Sequence, residues 1–258
     1  MATRENRNLG TIVPVPLYAD NYAWVIHNGS DAAVVDPGEA GPIKRFIEQQ
    51  SLRLSALMVT HHHLDHCGGV AELKNSCGCT VIGAHDERMT FIDDGIHDGE
   101  YRTVAGLRMR AIAAPGHTCS HFVYFFPDLK ALFTGDTLFS AGCGRLFEGD
   151  TDQLFASLRT CVSMGDDVLV YCGHEYTEEN LWFAAMAEPG SAAVQNRMKE
   201  VKNLRQKGLP TLPVTIAMEK ATNPFLRTAD SRIREWLGLN NASEVEVFAE
   251  LRKRKDRL

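Results

Sequence analysis

Four histidines and one carboxylate stand within seven residues at Thr60-His61-His62-His63-Leu64-Asp65-His66. Written as His61-x-His63-x-Asp65-His66, the stretch is a comb of metal ligands. Imidazole suits zinc, iron and copper, and a carboxylate extends the range to harder ions. Along a strand, positions 61 and 63 share a face, and a tight turn after them would aim Asp65 and His66 elsewhere. That geometry suits two ions better than one. The stretch is internal, follows an apolar run and contains Asp, which separates it from a terminal polyhistidine tag.

Three more places repeat the arrangement in reduced form. Residues 107–114 run into Pro115-Gly116-His117, residues 131–134 into Gly135-Asp136, and residues 168–172 into Gly173-His174. Each time a short apolar run ends in a glycine and then a single His or Asp. Glycine before the ligand permits a sharp turn, and ligands at strand ends converge where open α/β sheets keep their sites. The donor set is then His61, His63, Asp65, His66, His117, Asp136 and His174. Seven donors exceed one tetrahedral zinc and suit two ions sharing a bridging carboxylate. Spacing alone does not distribute them between the ions.

The elements that must position these donors are legible around them. Residues 12–17, 22–26 and 32–35 read as strands, with Asp20-Asn21 and Asn28-Gly29 as turns and Asp36-Pro37-Gly38 as a stop. Residues 42–50 read as a helix with Ile43, Phe46 and Ile47 on one face. Residues 54–59 form a buried strand entering the comb, and Gly68-Gly69 lets the backbone pass close as a helix begins. Helices are expected over 151–164, from Thr177 as cap to about 187, over 191–207 closed by Gly208, over 230–237, and over 243–254. Ser243 with Glu246 makes a capping box for the last. Residues 209–227 hold three prolines and read as an irregular crossing segment.

The bounds agree with an enzyme-sized soluble chain. There are 258 residues, 44% hydrophobic and 23% charged, enough for one large domain or two smaller ones. A net charge of −6 argues against nucleic acid as the main partner. Residues 1–10 are polar and carry no signal-peptide core, and no apolar run spans a membrane. Seven cysteines, odd in number and without framework spacing, suggest free thiols and a cytoplasmic setting.

Thr-His-His-His-x-Asp-His, Pro-Gly-His-Thr (115–118), Phe-Thr-Gly-Asp-Thr-Leu-Phe (133–139) and Tyr-Cys-Gly-His-Glu-Tyr-Thr (171–177) resemble the metallo-β-lactamase superfamily. Within it, the stretch from Gly142 to Gly149, His174-Glu175-Tyr176 and the basic C-terminus resemble the glyoxalase II (hydroxyacylglutathione hydrolase) family. The resemblance implies an α+β fold: a four-layer αββα sandwich over residues 1–174, the dimetal domain, then a smaller α-helical glutathione-binding domain over 175–258. It implies that His61, His63 and His117 hold one divalent ion. Asp65, His66 and His174 hold the other, and Asp136 bridges them. Zinc is the first expectation, with iron or manganese open.

The implied reaction is hydrolysis of S-D-lactoylglutathione to D-lactate and glutathione, the second step of methylglyoxal detoxification. A site of two divalent ions supplies hydroxide at neutral pH, with Asp65 and Asp136 the catalytic carboxylates. Arg145, Phe147, Tyr176, Arg252 and Lys255 are the implied substrate contacts, the last two for the glycyl carboxylate. Phe147 lacks the hydroxyl of relatives with Tyr there, and packing alone would also explain it. Arg252 and Lys255 share a helix face, though cations at a helix C-terminus also favour its dipole. His121 reads either as a support to the ligands or as a buried structural histidine, and His62 as outward or structural. A monomer acting on a small molecule is expected. A persulfide dioxygenase of the same fold would not be expected to keep the full C-terminal region, β-lactam- or RNA-cleaving relatives would lack it, and a non-enzymatic binding module would have lost ligands.

Overall fold

The computed structural model describes residues 10–258, so of the polar stretch 1–10 only Gly10 falls within it. Two units form. One takes in the described residues up to Ala113 together with Ser120–Gly135, and the other Ala114–Cys119 with Asp136–Leu258.

The first unit begins with β1 (Thr11–Leu17), β2 (Asn21–His27) and β3 (Asp31–Val35), paired antiparallel in sequence. Asn28 makes the second turn, its Oδ1 accepting from Ser30 N and Asp31 N at 3.0 and 2.9 Å. Helix α1 (Ala40–Gln49) buries Ala40, Ile43 and Ile47 and returns the chain to β4 (Arg53–Met58), parallel to β3. Then come α2 (Leu64–Cys67), α3 (Val70–Cys77), β5 (Thr80–Ala84) and β6 (Asp94–Ile96), giving a sheet in the order β1 to β6. Parallel strands buried on both faces read as near-continuous apolar runs; β3 and β5 do so after a polar first residue, and β4 does from Ala56 on.

A second, antiparallel set follows: β7 (Tyr101–Val104), β8 (Leu107–Ala113), β9 (Phe122–Phe126) and β10 (Ala131–Gly135). It is tied to the end of β4, where Tyr124 Oη donates to Val59 O at 2.6 Å and Phe122 N to Thr60 O at 2.9 Å.

The comb does not lie on a strand. Strand β4 ends at Met58, His61 and His62 occupy bends, and His63 sits at the N-cap of α2. The single turn of α2, not a strand-to-turn switch, separates Asp65 and His66 from His61 and His63.

The second unit holds a two-strand hairpin, β11 (Leu138–Phe139) and β12 (Gly142–Cys143), then α4 (Thr151–Val162) and β13 (Leu169–Cys172). Asp150 and Gln153 form a capping box on α4. Helices α5 (Thr177–Ala187) and α6 (Ala192–Gln206) pack through Leu181, Ala184, Val194 and Val201. Thr177 is not the cap of α5. Tyr176 holds that position, and Thr177 Oγ1 instead accepts from Thr211 Oγ1 at 2.6 Å.

Residues 209–227 are more regular than their prolines suggest. They contain β14 (Val214–Thr215), paired with β13, and α7 (Ile216–Thr222), whose N-cap Thr215 accepts from Met218 N at 3.1 Å. Pro224 falls just past α7, where it breaks nothing. Helices α8 (Ser231–Leu237) and α9 (Glu244–Lys255) end the chain, α9 with the expected Ser243–Glu246 capping box. None of the seven cysteines is in a disulfide; Cys77 and Cys119 are exposed and five are buried. Among the described residues no helix is long and apolar enough to cross a membrane.

Candidate active site

In the first unit, Asp36 organises the comb. It stops β3 at φ 54° and is 3% exposed. Its Oδ1 accepts from Thr60 N at 2.8 Å, and its Oδ2 accepts from Thr60 Oγ1 and lies near His66 Nδ1, both at 2.9 Å. An ionised carboxylate only accepts, so His66 carries its proton on Nδ1 and presents a bare Nε2. The Thr60 hydroxyl gives its hydrogen to Asp36. Its oxygen therefore accepts from His61 Nδ1, 3.0 Å away, and His61 also presents a bare Nε2. One carboxylate thus sets the tautomer of two candidate ligands, as carboxylates behind ligating histidines commonly do.

The other comb residues are held as firmly. His61 Nε2 lies 3.0 Å from His63 Nδ1. Asn21 Nδ2 donates to Asp65 Oδ2 at 3.0 Å, and that oxygen is 3.4 Å from His66 Nε2. His121 is fully buried and stacks on His61 with centroids 4.9 Å apart. Gly135 must be a glycine, since a Cβ there would meet Thr60 Oγ1 at 2.5 Å and His121 Nε2 at 2.8 Å. His62 turns to Arg88, whose Nη1 donates to its Nε2 at 3.1 Å.

In the second unit, His117, Asp136 and His174 come together. His117 Nε2 and His174 Nε2 lie 3.5 and 3.4 Å from the same Asp136 Oδ2. His117 Nδ1 donates to the Arg145 carbonyl at 2.9 Å, so in the neutral imidazole, the form that binds a metal, its Nε2 carries no proton. A lone pair facing a carboxylate oxygen is repulsive without a cation between them. The same opposition stands at His66 and Asp65. The donors in both units therefore fit divalent cations: His61, His63, Asp65 and His66 in one and His117, Asp136 and His174 in the other are each candidate ligands.

A cavity of about 370 Å³ opens within the second unit beside His117 and Asp136. Phe139, Phe147 and Tyr176 wall it, and Arg145, Arg252 and Lys255 line it with positive charge. Phe147 meets His117 edge-on at 5.2 Å, and Tyr176 stacks on His174 at 4.6 Å. All five sequence-predicted substrate residues thus line one cavity. Arg252 is buried; its Nη1 donates to Cys143 O and its Nη2 pairs with Asp256, both at 2.9 Å. Burial lowers the Lys255 ammonium below its ordinary pKa, and Nζ donates to Glu179 O at 3.3 Å. Burial pushes the Cys143 thiol up to about 11.

Sequence reasoning had no site role for Asp36 or Asn21. The signal was present, an Asp fixed before Pro-Gly and an Asn in a tight Asp-Asn-Tyr turn, but both read as chain reversals.

The description "Hydroxyacylglutathione hydrolase C-terminus" matches residues 175–258, and "Metallo-beta-lactamase superfamily" matches residues 19–174. The hydroxyacylglutathione hydrolase of Methylococcus capsulatus is 45% identical over 249 residues, covering 95% of this chain and 97% of that protein. The chain belongs to the hydroxyacylglutathione hydrolase family. Family membership makes it an enzyme, a hydrolase with the α+β metallo-β-lactamase fold and a helical C-terminal region. Solved structures agree on the fold. The BLEG-1 B3 metallo-β-lactamase superposes with TM-score 0.65 at 22% identity, covering 84% of this chain and 99% of that one. TTHA1623 in a di-iron-bound form gives 0.62 at 22%, covering 83% and 100%.

Proposed function

We propose that the chain hydrolyses S-D-lactoylglutathione, and S-2-hydroxyacylglutathiones generally, to the 2-hydroxy acid and glutathione. The observation that carries this reading is the cavity in which three cationic side chains stand beside two of the metal-ligand candidates. Glutathione has two carboxylates and one ammonium, so a cation-lined cavity fits its anionic ends. His61, His63 and His117 would hold one divalent ion and Asp65, His66 and His174 the other, with Asp136 common to both; when bound, the ions would supply Lewis acidity and lower the pKa of a water toward neutrality. Zinc is the first choice for this imidazole-rich set, with iron or manganese compatible; TTHA1623 was seen with two irons.

The chain's own groups do the rest. Arg252 and Lys255 bind the glycyl carboxylate, Arg145 adds a third cation, and Phe147 and Tyr176 flank the peptide. Asp65, restrained by Asn21, orients the attacking water. The thiolate leaves as the conjugate base of an acid of pKa about 8.5, which needs no strong acid behind it. Cys143 is the one thiol lining the cavity, and with a pKa of about 11 it stays protonated and offers no nucleophile. His121 supports His61 from behind.

In this reading residues 1–174 form the dimetal domain and 175–258 the glutathione-binding domain. The protein works as a cytoplasmic monomer on a small molecule, with neither nucleic acid nor membrane as partner. The test is direct. Metallated protein mixed with S-D-lactoylglutathione should release free thiol and leave a β-lactam intact, and elemental analysis should find two ions per chain. No thiol release from fully metallated protein would overturn the reading.

A further inference from the structure

The β11–β12 hairpin carries two residues of the cavity, Phe139 and Cys143. Phe139 packs edge-on against His174 and Tyr176, with centroids 5.9 and 5.3 Å apart. The position of the hairpin therefore sets the shape of the cavity wall. Strands this short do not hold themselves in place. The tip is also strained: Ala141, a non-glycine, sits at φ 56°, a conformation that persists only where the surroundings impose it.

The restraint comes from the end of α7. Glu219 Oε2 accepts from Ala141 N at 2.8 Å and from Asn223 Nδ2 at 2.9 Å. Asn223 Nδ2 also donates to Gly142 O at 2.9 Å and reaches Phe139 O at 3.4 Å. Its Oδ1 accepts from Phe225 N at 3.1 Å, which caps the following turn. Both side chains are 0% exposed. Burying a carboxylate this completely is costly, and among the described residues no salt bridge of Glu219 offsets it. Its hydrogen bonds run to the hairpin tip and to Asn223, which itself grips the hairpin.

We propose that Glu219 and Asn223 are positioning residues of the substrate cavity. Their side chains clasp the β11–β12 hairpin and so hold Phe139 and Cys143 where the glutathione moiety binds. The proposal rests on the substrate reading above. Arg252 holds the same hairpin at its other end through Cys143 O, so the clasp and the carboxylate-binding helix act on one element.

The experiment compares Glu219→Ala, Glu219→Gln and the parent. Glu219→Ala removes the acceptor for Ala141 N. Glu219→Gln keeps a carbonyl oxygen there. Glu219→Ala is expected to raise KM for S-D-lactoylglutathione about tenfold, lower kcat much less and keep both ions, while Glu219→Gln restores most of the KM. Backbone amides of residues 138–147 should exchange faster in Glu219→Ala, a readout that needs no substrate. If that variant does not fold, Asn223→Ser serves, because Ser keeps the cap on Phe225 and loses the donors to the hairpin. A lowered melting temperature with unchanged KM and unchanged exchange over 138–147 would overturn the proposal. A parent that releases no thiol overturns the substrate reading alone, and the exchange data then decide the clasp.

Discussion

Asp36→Asn changes one acceptor oxygen at the base of the comb into an amide donor. The backbone tolerates it, since Asn is among the few residues at ease at φ 54°. The Oδ1 bond from Thr60 N, 2.8 Å long, can be kept. What disappears is Oδ2, which serves Thr60 Oγ1 and His66 Nδ1, both at 2.9 Å. His66 then has no reason to hold its proton on Nδ1, and the Thr60 hydroxyl is freed from the orientation that fixes His61. A hydrogen bond to a charged group is worth roughly 1.5–3 kcal/mol. Losing the partner that orients a ligating histidine typically costs about 10- to 100-fold in metal affinity, or about 1.4–2.7 kcal/mol, and the two figures agree. The assay is competition for zinc between metal-free protein and a chromophoric chelator, with a thermal melt run beside it. Affinity within about twofold of the parent, despite a lower melting temperature, would refute the orienting role of Asp36.

Asp136→Ala should lose bound metal and thioesterase activity together; elemental analysis finding two ions would contradict the bridge. Lys255→Ala should raise KM by up to about tenfold with metals and melting temperature kept, because its ammonium is only half-buried. Arg252→Ala should raise KM and also lower the melting temperature, since Arg252 bonds Cys143 O and Asp256 and lies over Phe225; equal behaviour of the two variants would argue against this division. Burial, opposed by bonds from Asn223 and Ala141 and by the Arg197 charge, raises Glu219 from 4.5 to about 7. A raised carboxyl gives stability that is complete below its ordinary pKa and lost as pH rises through the folded value. The parent should therefore lose on the order of 3 kcal/mol between pH 4.5 and 8 from this group, and Glu219→Gln should lack that component in denaturant melts.

The repeated pattern of strand, glycine and candidate ligand was legible because it is local: β8, β10 and β13 each end within four residues of His117, Asp136 or His174. The cavity cations were legible through the family motifs. Asp36 was not, because its meaning lies in bonds to residues 24 and 30 positions away, which no window of periodicity samples. Residues 216–222 were read as irregular because flanking prolines dominate composition there, whereas the helix fits between them with Thr215 as cap. Thr177 looked like a cap by residue type, yet a tertiary bond from Thr211 claims its hydroxyl.

The distribution of thiols has a bench consequence. Burial pushes Cys67 and Cys143 up to about 11 and Cys161 to about 12, and it also raises Cys79 and Cys172. Thiol reagents react with the thiolate, so at neutral pH these five are silent in the folded chain and Cys77 and Cys119 are accessible. A dye that counts released glutathione thus begins from a blank of two thiols per chain. The blank climbs toward seven only as the chain unfolds. Cys119, two positions from His117, is in addition a natural attachment point for a fluorophore that reports on the His117 loop without any engineered cysteine.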